Sequence, residues 1–198
     1  MVLPGHLAGG YLTATALLTI FHPDFSATQI NTLLIIGTLA GELPDIDLFF
    51  FNIKHRKDGN EQKNIENAES HRDYITHIPF FWLTISAAIS LVGFVSGGIF
   101  GFTFMSQTFI EWLGLIIFSG TLSHFVLDSI EYGIRWFAPW SNKRFAIQRE
   151  VHEKPTDDRP GSIKQYFHFL IRTYWKMKTF WLEIIVTITA LCILAHSL

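Results

Sequence analysis

The chain has 198 residues, 49% of them hydrophobic and only 16% charged, against about 25% charged in an ordinary soluble domain. Its formal net charge of −2 gives no reason to expect nucleic acid as a partner, and its single cysteine, Cys192, excludes an internal disulfide and a thiolate zinc site. The length allows one domain or two small ones.

The opening Met1-Val2-Leu3-Pro4-Gly5-His6 has no basic n-region and no obvious cleavage site, so the first apolar stretch, 7–21, reads as a retained segment. It and the second stretch, 28–43, run about 15 residues each, short of the roughly 20 that cross a hydrocarbon core of about 30 Å. They are thin spans or a hairpin dipping into the bilayer, and either option returns the chain to its starting side. After a polar loop comes 78–100, which has 23 residues and no charge. Then follow 109–127, with Glu111 and His124 near its two ends, and 179–198, with Glu183 and His196. All 15 Lys and Arg lie in 52–72 and 135–178, and the turns at 22–27 and 101–107 have none. Short loops rich in Lys and Arg stay cytoplasmic, and one such residue at mid-bilayer costs roughly 2.5–3.5 kcal/mol. Trp175 and Trp181 flank the start of the last stretch, as interfacial aromatics do.

The expected fold is therefore all-α, a polytopic membrane helical bundle of about five membrane segments with a cytoplasmic N-terminus. Residues 1–140 form the membrane-embedded domain, 141–178 a cytoplasmic polar segment that is a lid or a tether, and 179–198 a C-terminal transmembrane helix. A soluble, Phe-rich bundle is the competing reading; core helices rarely run so long without a charge.

On this topology the metal-binding side chains collect at one face. His6 precedes the first stretch, Asp45 and Asp47 follow the helix-stopping Pro44, His71 and His77 lead into the third stretch, and His124 and Asp128 close the fourth. His124 and Asp128 are four apart, so a helix puts both on one face. They can share a metal or form a local hydrogen bond, but ionisable residues at membrane depth point to function. Close carboxylates such as Asp45 and Asp47 repel unless a cation or proton lies between them; the alternative is an acidic turn facing water. His71 and His77 are six apart, which suits a loop entering a helix, and Thr76 is placed to hydrogen-bond a ligand. Arg72 is either a positive-inside anchor or a holder of an anionic oxygen. Glu42 is expected to point outward, and His22 and Asp24 belong to the opposite face. Imidazole plus carboxylate donors suit zinc, with manganese or iron also possible. Seven candidates exceed one tetrahedral site, leaving two sites, or one site plus a general base and supporting partners.

The runs Gly41-x-Leu43-Pro44-Asp45-x-Asp47, His71-Arg72-x-x-x-Thr76-His77 and Gly120-x-x-Ser123-His124-x-x-x-Asp128 resemble, in order and spacing, the YdjM-like family of bacterial inner-membrane proteins. Here the gap between His71-Arg72 and Thr76-His77 is one residue longer than the family's usual pattern. The resemblance spans most of 1–140, including His6, and implies a metal-dependent hydrolase. The His-x-x-x-Asp element is also distantly similar to that of zinc-dependent phospholipase C and P1-type nucleases, which makes a phospholipid substrate an analogy.

The expectation is a hydrolase of an ester or phosphoester carried by a lipid or amphiphile at the cytoplasmic face. His6, Asp45, His71, His77, His124 and Asp128 are the candidate ligands, Asp47 the candidate general base, and Arg72 the group that meets developing negative charge. Its partners would be membrane lipids. The rival is a non-enzymatic sensor or scaffold with a structural metal; a carrier fits poorly, because it needs ionisable residues along a path through the bilayer.

Overall fold

The computed structural model describes residues 3–47, 74–99, 107–131, 133–147 and 174–197. Among these residues the chain is helical, with α1 Leu3–Phe21, α2 Ala27–Ala40, α3 Pro79–Ile99, α4 Gln107–Glu131 and α5 Lys178–Ser197. They contain no strand, only an isolated antiparallel bridge between Ile134 and Phe145. Two helical segments, Thr108–Ile130 and Lys178–His196, are long and apolar enough to cross a membrane, while α2 and Pro79–Val95 are shorter apolar helices. The expected all-α bundle is present as five helices, two of which meet the criterion for a span.

The turn from α1 to α2 is closed by a capping box. Ser26 Oγ accepts from the Gln29 amide, and Gln29 Oε1 accepts from the Ser26 amide, satisfying two amides that the helix start cannot. The two helices then pack antiparallel through small residues. A Cβ on Gly10 would lie 2.2 Å from the Gly37 carbonyl oxygen, and one on Gly41 would lie 2.2 Å from that of His6. α4 joins them parallel to α2, with Gly120 against Ala40 and the Gly37 carbonyl. Small residues permit such backbone approach. α3 runs antiparallel to α4, Gly114 meeting the Ser86 carbonyl and Gly93 meeting Ile110.

One apolar cluster, Ala14, Leu18, Leu33, Phe109 and Ile116, fills the end near the α1–α2 turn. A second, Trp82, Phe125 and Ile134, fills the other end. The chain after α4 folds back there: the Trp136 indole donates to Ser129 Oγ at 2.8 Å, and the Ile147 amide to the Ser129 carbonyl at 2.8 Å.

α5 lies against α1 and turns Ile185, Ile188 and Leu191 outward, together with Cys192. A soluble bundle would bury that face. Glu183, buried within α5, accepts from the Gly5 amide at 3.0 Å through Oε1 and from the Tyr174 hydroxyl through Oε2. A carboxylate on an otherwise unpaired amide in the first turn of α1 complements that helix end. Hydrogen bonds to charged groups contribute about 1.5–3 kcal/mol. Glu183→Ala is expected to lower stability by about that much, read as a lowered unfolding midpoint in detergent, with Tyr174→Phe giving a smaller loss.

Candidate metal centre

The start of α1, the end of α2, the start of α3 and the end of α4 share one end of the bundle, and each delivers part of a buried cluster. His6 lies in the first turn of α1. Beyond α2, Pro44 sits in a 3-10 turn over Leu43–Asp45 that points Asp45 back toward the bundle axis, with Asp47 just behind it. Before α3, a second 3-10 turn, Ile75–His77, buries His77 and is pinned by the Trp82 indole donating to the Thr76 carbonyl at 2.7 Å. His124 and Asp128 come from the last turns of α4.

His124 organises the cluster. Its Nδ1 donates to the Gly41 carbonyl at 2.8 Å, one of the carbonyls a helix end leaves without a partner. That bond fixes the tautomer, so Nε2 carries the lone pair. Nε2 is buried with no hydrogen-bond partner, 3.7 Å from Asp45 Oδ1 and 3.8 Å from Asp128 Oδ2. The His6 ring stacks on His124, centroids 3.9 Å apart at 24°. His6 Nε2 lies 3.3 Å from Asp128 Oδ1, and neither of its ring nitrogens has a hydrogen-bond partner. Two donor sets result, His6 with His124 and Asp128, and Asp45 with His77 and His124; in each, the donor atoms lie within 4.8 Å of one another.

The second set is tied together differently. His77 stands between two carboxylates, Nδ1 2.9 Å from Asp47 Oδ2 and Nε2 3.1 Å from Asp45 Oδ1. The Thr76 hydroxyl also donates to Asp47 Oδ2. Burial works against a charged ring, but the hydrogen bonds and charges of the two aspartates outweigh it and raise the His77 pKa to about 9. Burial likewise works against a charged Asp45, yet its bond to His77 and the neighbouring imidazoles lower it to about 2. Asp45, His77 and Asp47 thus form a chain that stores one proton between two carboxylates.

Buried imidazole nitrogens without partners are costly, and a cation is what such a donor set fits. His6, Asp45, Asp47, His77, His124 and Asp128 meet as the sequence leads one to expect, whereas His71 and Arg72 lie outside the described residues. Asp47 stands behind His77, on the side away from Asp45.

Glu42 departs from expectation. Its Oε1 is buried without a hydrogen-bond partner, and burial, then the charges of Asp45 and Asp128, raise its pKa to about 8. Its place in the turn after α2 carries no sequence signal of this. Glu183, one helix away, holds the backbone beside His6; an acid in an apolar helix was the available signal.

No curated protein and no solved structure matches the chain. The resemblance carried by the motifs from His6 to Asp128 extends through α5: the family model described as YdjM inner membrane protein matches residues 1–197, and the chain belongs to that family.

Proposed function

We propose that this protein is a metal-dependent hydrolase of an ester or phosphoester, with its centre at the cytoplasmic face of the inner membrane. The five helices are five membrane segments in this reading, and the basic loops set the orientation. The observation that carries the reading is His124 Nε2. It belongs to both donor sets, and a ring nitrogen with one lone pair binds one ion. The two sets therefore serve a single ion.

Which set takes it follows from the unpaired atoms. The ring nitrogens of His6 and Nε2 of His124 are open, whereas both nitrogens of His77 are taken by Asp45 and Asp47, of whose oxygens only the outer Oδ1 of Asp47 is buried without a partner. His6, His124 and Asp128 would hold the ion; their imidazole and carboxylate donors suit zinc, and manganese and iron accept the same donors. Such an ion makes water a usable nucleophile near neutral pH and polarises the bond to be cleaved. Asp45 is the half-exposed member, its side chain 21% accessible against 0–2% for His6, His124 and Asp128. With its Oδ1 3.7 Å from His124 Nε2 it would orient water beside the ion, and Asp47 orients His77 behind it, as the outer partner of a histidine does. Asp47 is then a positioning residue in place of the expected general base. Arg72 remains the candidate for meeting developing negative charge.

Elemental analysis of detergent-purified protein is expected to find one zinc, manganese or iron per chain. Two ions would overturn the shared His124, and none would sink the hydrolase reading. Asp47→Asn is expected to keep the ion while slowing hydrolysis of a chromogenic phosphate ester by about 10–100-fold, the range for loss of a partner that orients another residue at a metal site. Loss of the ion in that variant would instead put His77 in the coordination sphere. The burial of the first donor set favours the second reading, a structural metal in a sensor. A cobalt-substituted protein whose visible spectrum ignores added anions would support that reading, because a closed sphere has no exchangeable position.

A further inference from the structure

An apolar groove of about 450 Å³ runs along the outside of the bundle between α1 and α4, with Val186 of α5 at its edge. Its volume is in the range of ligand pockets, about 300–1,000 Å³. It begins beside the metal centre. Gly9, one turn after His6, forms its head together with Ser123 and Leu127, the residues immediately before His124 and Asp128. Gly9 lets α1 and α4 come close there, closing the groove at this end: a Cβ on it would lie 2.8 Å from Leu127 Cδ1 and 3.2 Å from Ser123 Oγ. From Gly9 the groove follows Ala16 to Ile20, about 16 Å at 1.5 Å per residue. That is close to half of a hydrocarbon core about 30 Å thick, the depth of one leaflet.

We propose that this groove is the acyl-chain subsite of the hydrolase, and that the substrate is a phosphate-bearing glycerolipid of the inner leaflet whose polar end reaches the His6–His124–Asp128 centre. The inference rests on the hydrolase reading above. The occupant follows from the surroundings: the protein belongs to an inner-membrane family, the groove opens to the side between α1 and α4, the latter one of the two helices long enough to span, and its length is one leaflet. A chain in the groove gains little over any lipid at the protein surface, because lipid tails are as apolar as the walls. Selectivity has to come from the polar end at the centre. One hydrogen bond to a charged group there contributes about 1.5–3 kcal/mol, which corresponds to roughly tenfold or more in occupancy.

The test uses the full chain in nanodiscs doped with phosphatidic acid or phosphatidylglycerol carrying a mid-chain diazirine. After irradiation, adducts are mapped by mass spectrometry and the ion content of the same sample is measured. The α1 and α4 groove residues are expected to be labelled about tenfold above the outward face of α5 at Ile185 and Ile188, by the same occupancy argument. Phosphatidic acid labelling alone would assign a phosphomonoester, and phosphatidylglycerol labelling a diester. Ala16→Trp, at an exposed position, is expected to remove the enrichment with the ion retained. Even labelling around the bundle with the ion present would overturn the groove and leave the metal centre standing. Labelling in the groove below the α5 level would mean that a second copy covers it, and would also overturn the proposal. Absence of the ion would overturn the hydrolase reading itself.

Discussion

His124→Ala is expected to abolish metal binding. The other candidate donors each belong to one of the two sets, and His124 belongs to both, so removing it disables either arrangement. Loss of a group that only orients a ligand typically costs 10–100-fold in metal affinity, and loss of a direct ligand costs at least that. Ion content is expected to fall from one per chain to less than about a tenth after dialysis against a weak chelator, on that same scale. The substitution also leaves the Gly41 carbonyl without its donor, a further cost of about 1–3 kcal/mol, so the measurement needs a companion. Asp128→Asn keeps the shape of the α4 turn and should lose the ion with a smaller effect on the unfolding midpoint. Retention of a full ion in both variants would place the metal elsewhere.

Gly10→Ala is expected to be among the most damaging single substitutions in the bundle. Two effects oppose each other. Alanine is the better helix former by about 1 kcal/mol, which would stabilise an unconstrained helix. Its Cβ, however, would lie 2.2 Å from the Gly37 carbonyl oxygen and 3.0 Å from that of Thr38, and backbone atoms cannot rotate away. Overpacking of this kind costs typically 1–3 kcal/mol and sometimes more, so the clash wins and the unfolding midpoint falls. The seam that carries Gly10 also carries the contact between Gly41 and His6. Separating α1 from α2 moves His6 away from His124, and ion content should fall along with stability. An unchanged midpoint would show that the two helices are not held in backbone contact.

Much of this was legible in the sequence, and the reasons differ from residue to residue. The gathering of His6, Asp45, His77, His124 and Asp128 follows from hydropathy and loop charge alone, because apolar stretches joined by short turns alternate in direction. The His124–Asp128 pair is set by helical periodicity. Contacts between residues remote in the chain carry no local signal. Glu183 can be seen as an acid in an apolar run, but the Gly5 amide it accepts from is 178 positions away. Nor does spacing say that Gly10 faces Gly37 and that Gly41 faces His6. Glu42 belongs to a turn whose backbone direction, and not its composition, decides where the carboxylate goes. The role of Asp47 depends on which His77 nitrogen it meets, a matter of ångströms that motif spacing does not encode.

The clasp between Glu183 and Gly5 also sets an order of events during synthesis. The two residues are separated by 178 positions, about 9 to 36 s of translation at 5–20 residues per second. Through that interval α1, α2, α3 and α4 can be made and packed, while the helix end that carries His6 still lacks its carboxylate. The helix end beside His6 therefore gains its carboxylate only when the last helix arrives, and a nascent chain stalled before residue 183 holds the donor residues without that brace.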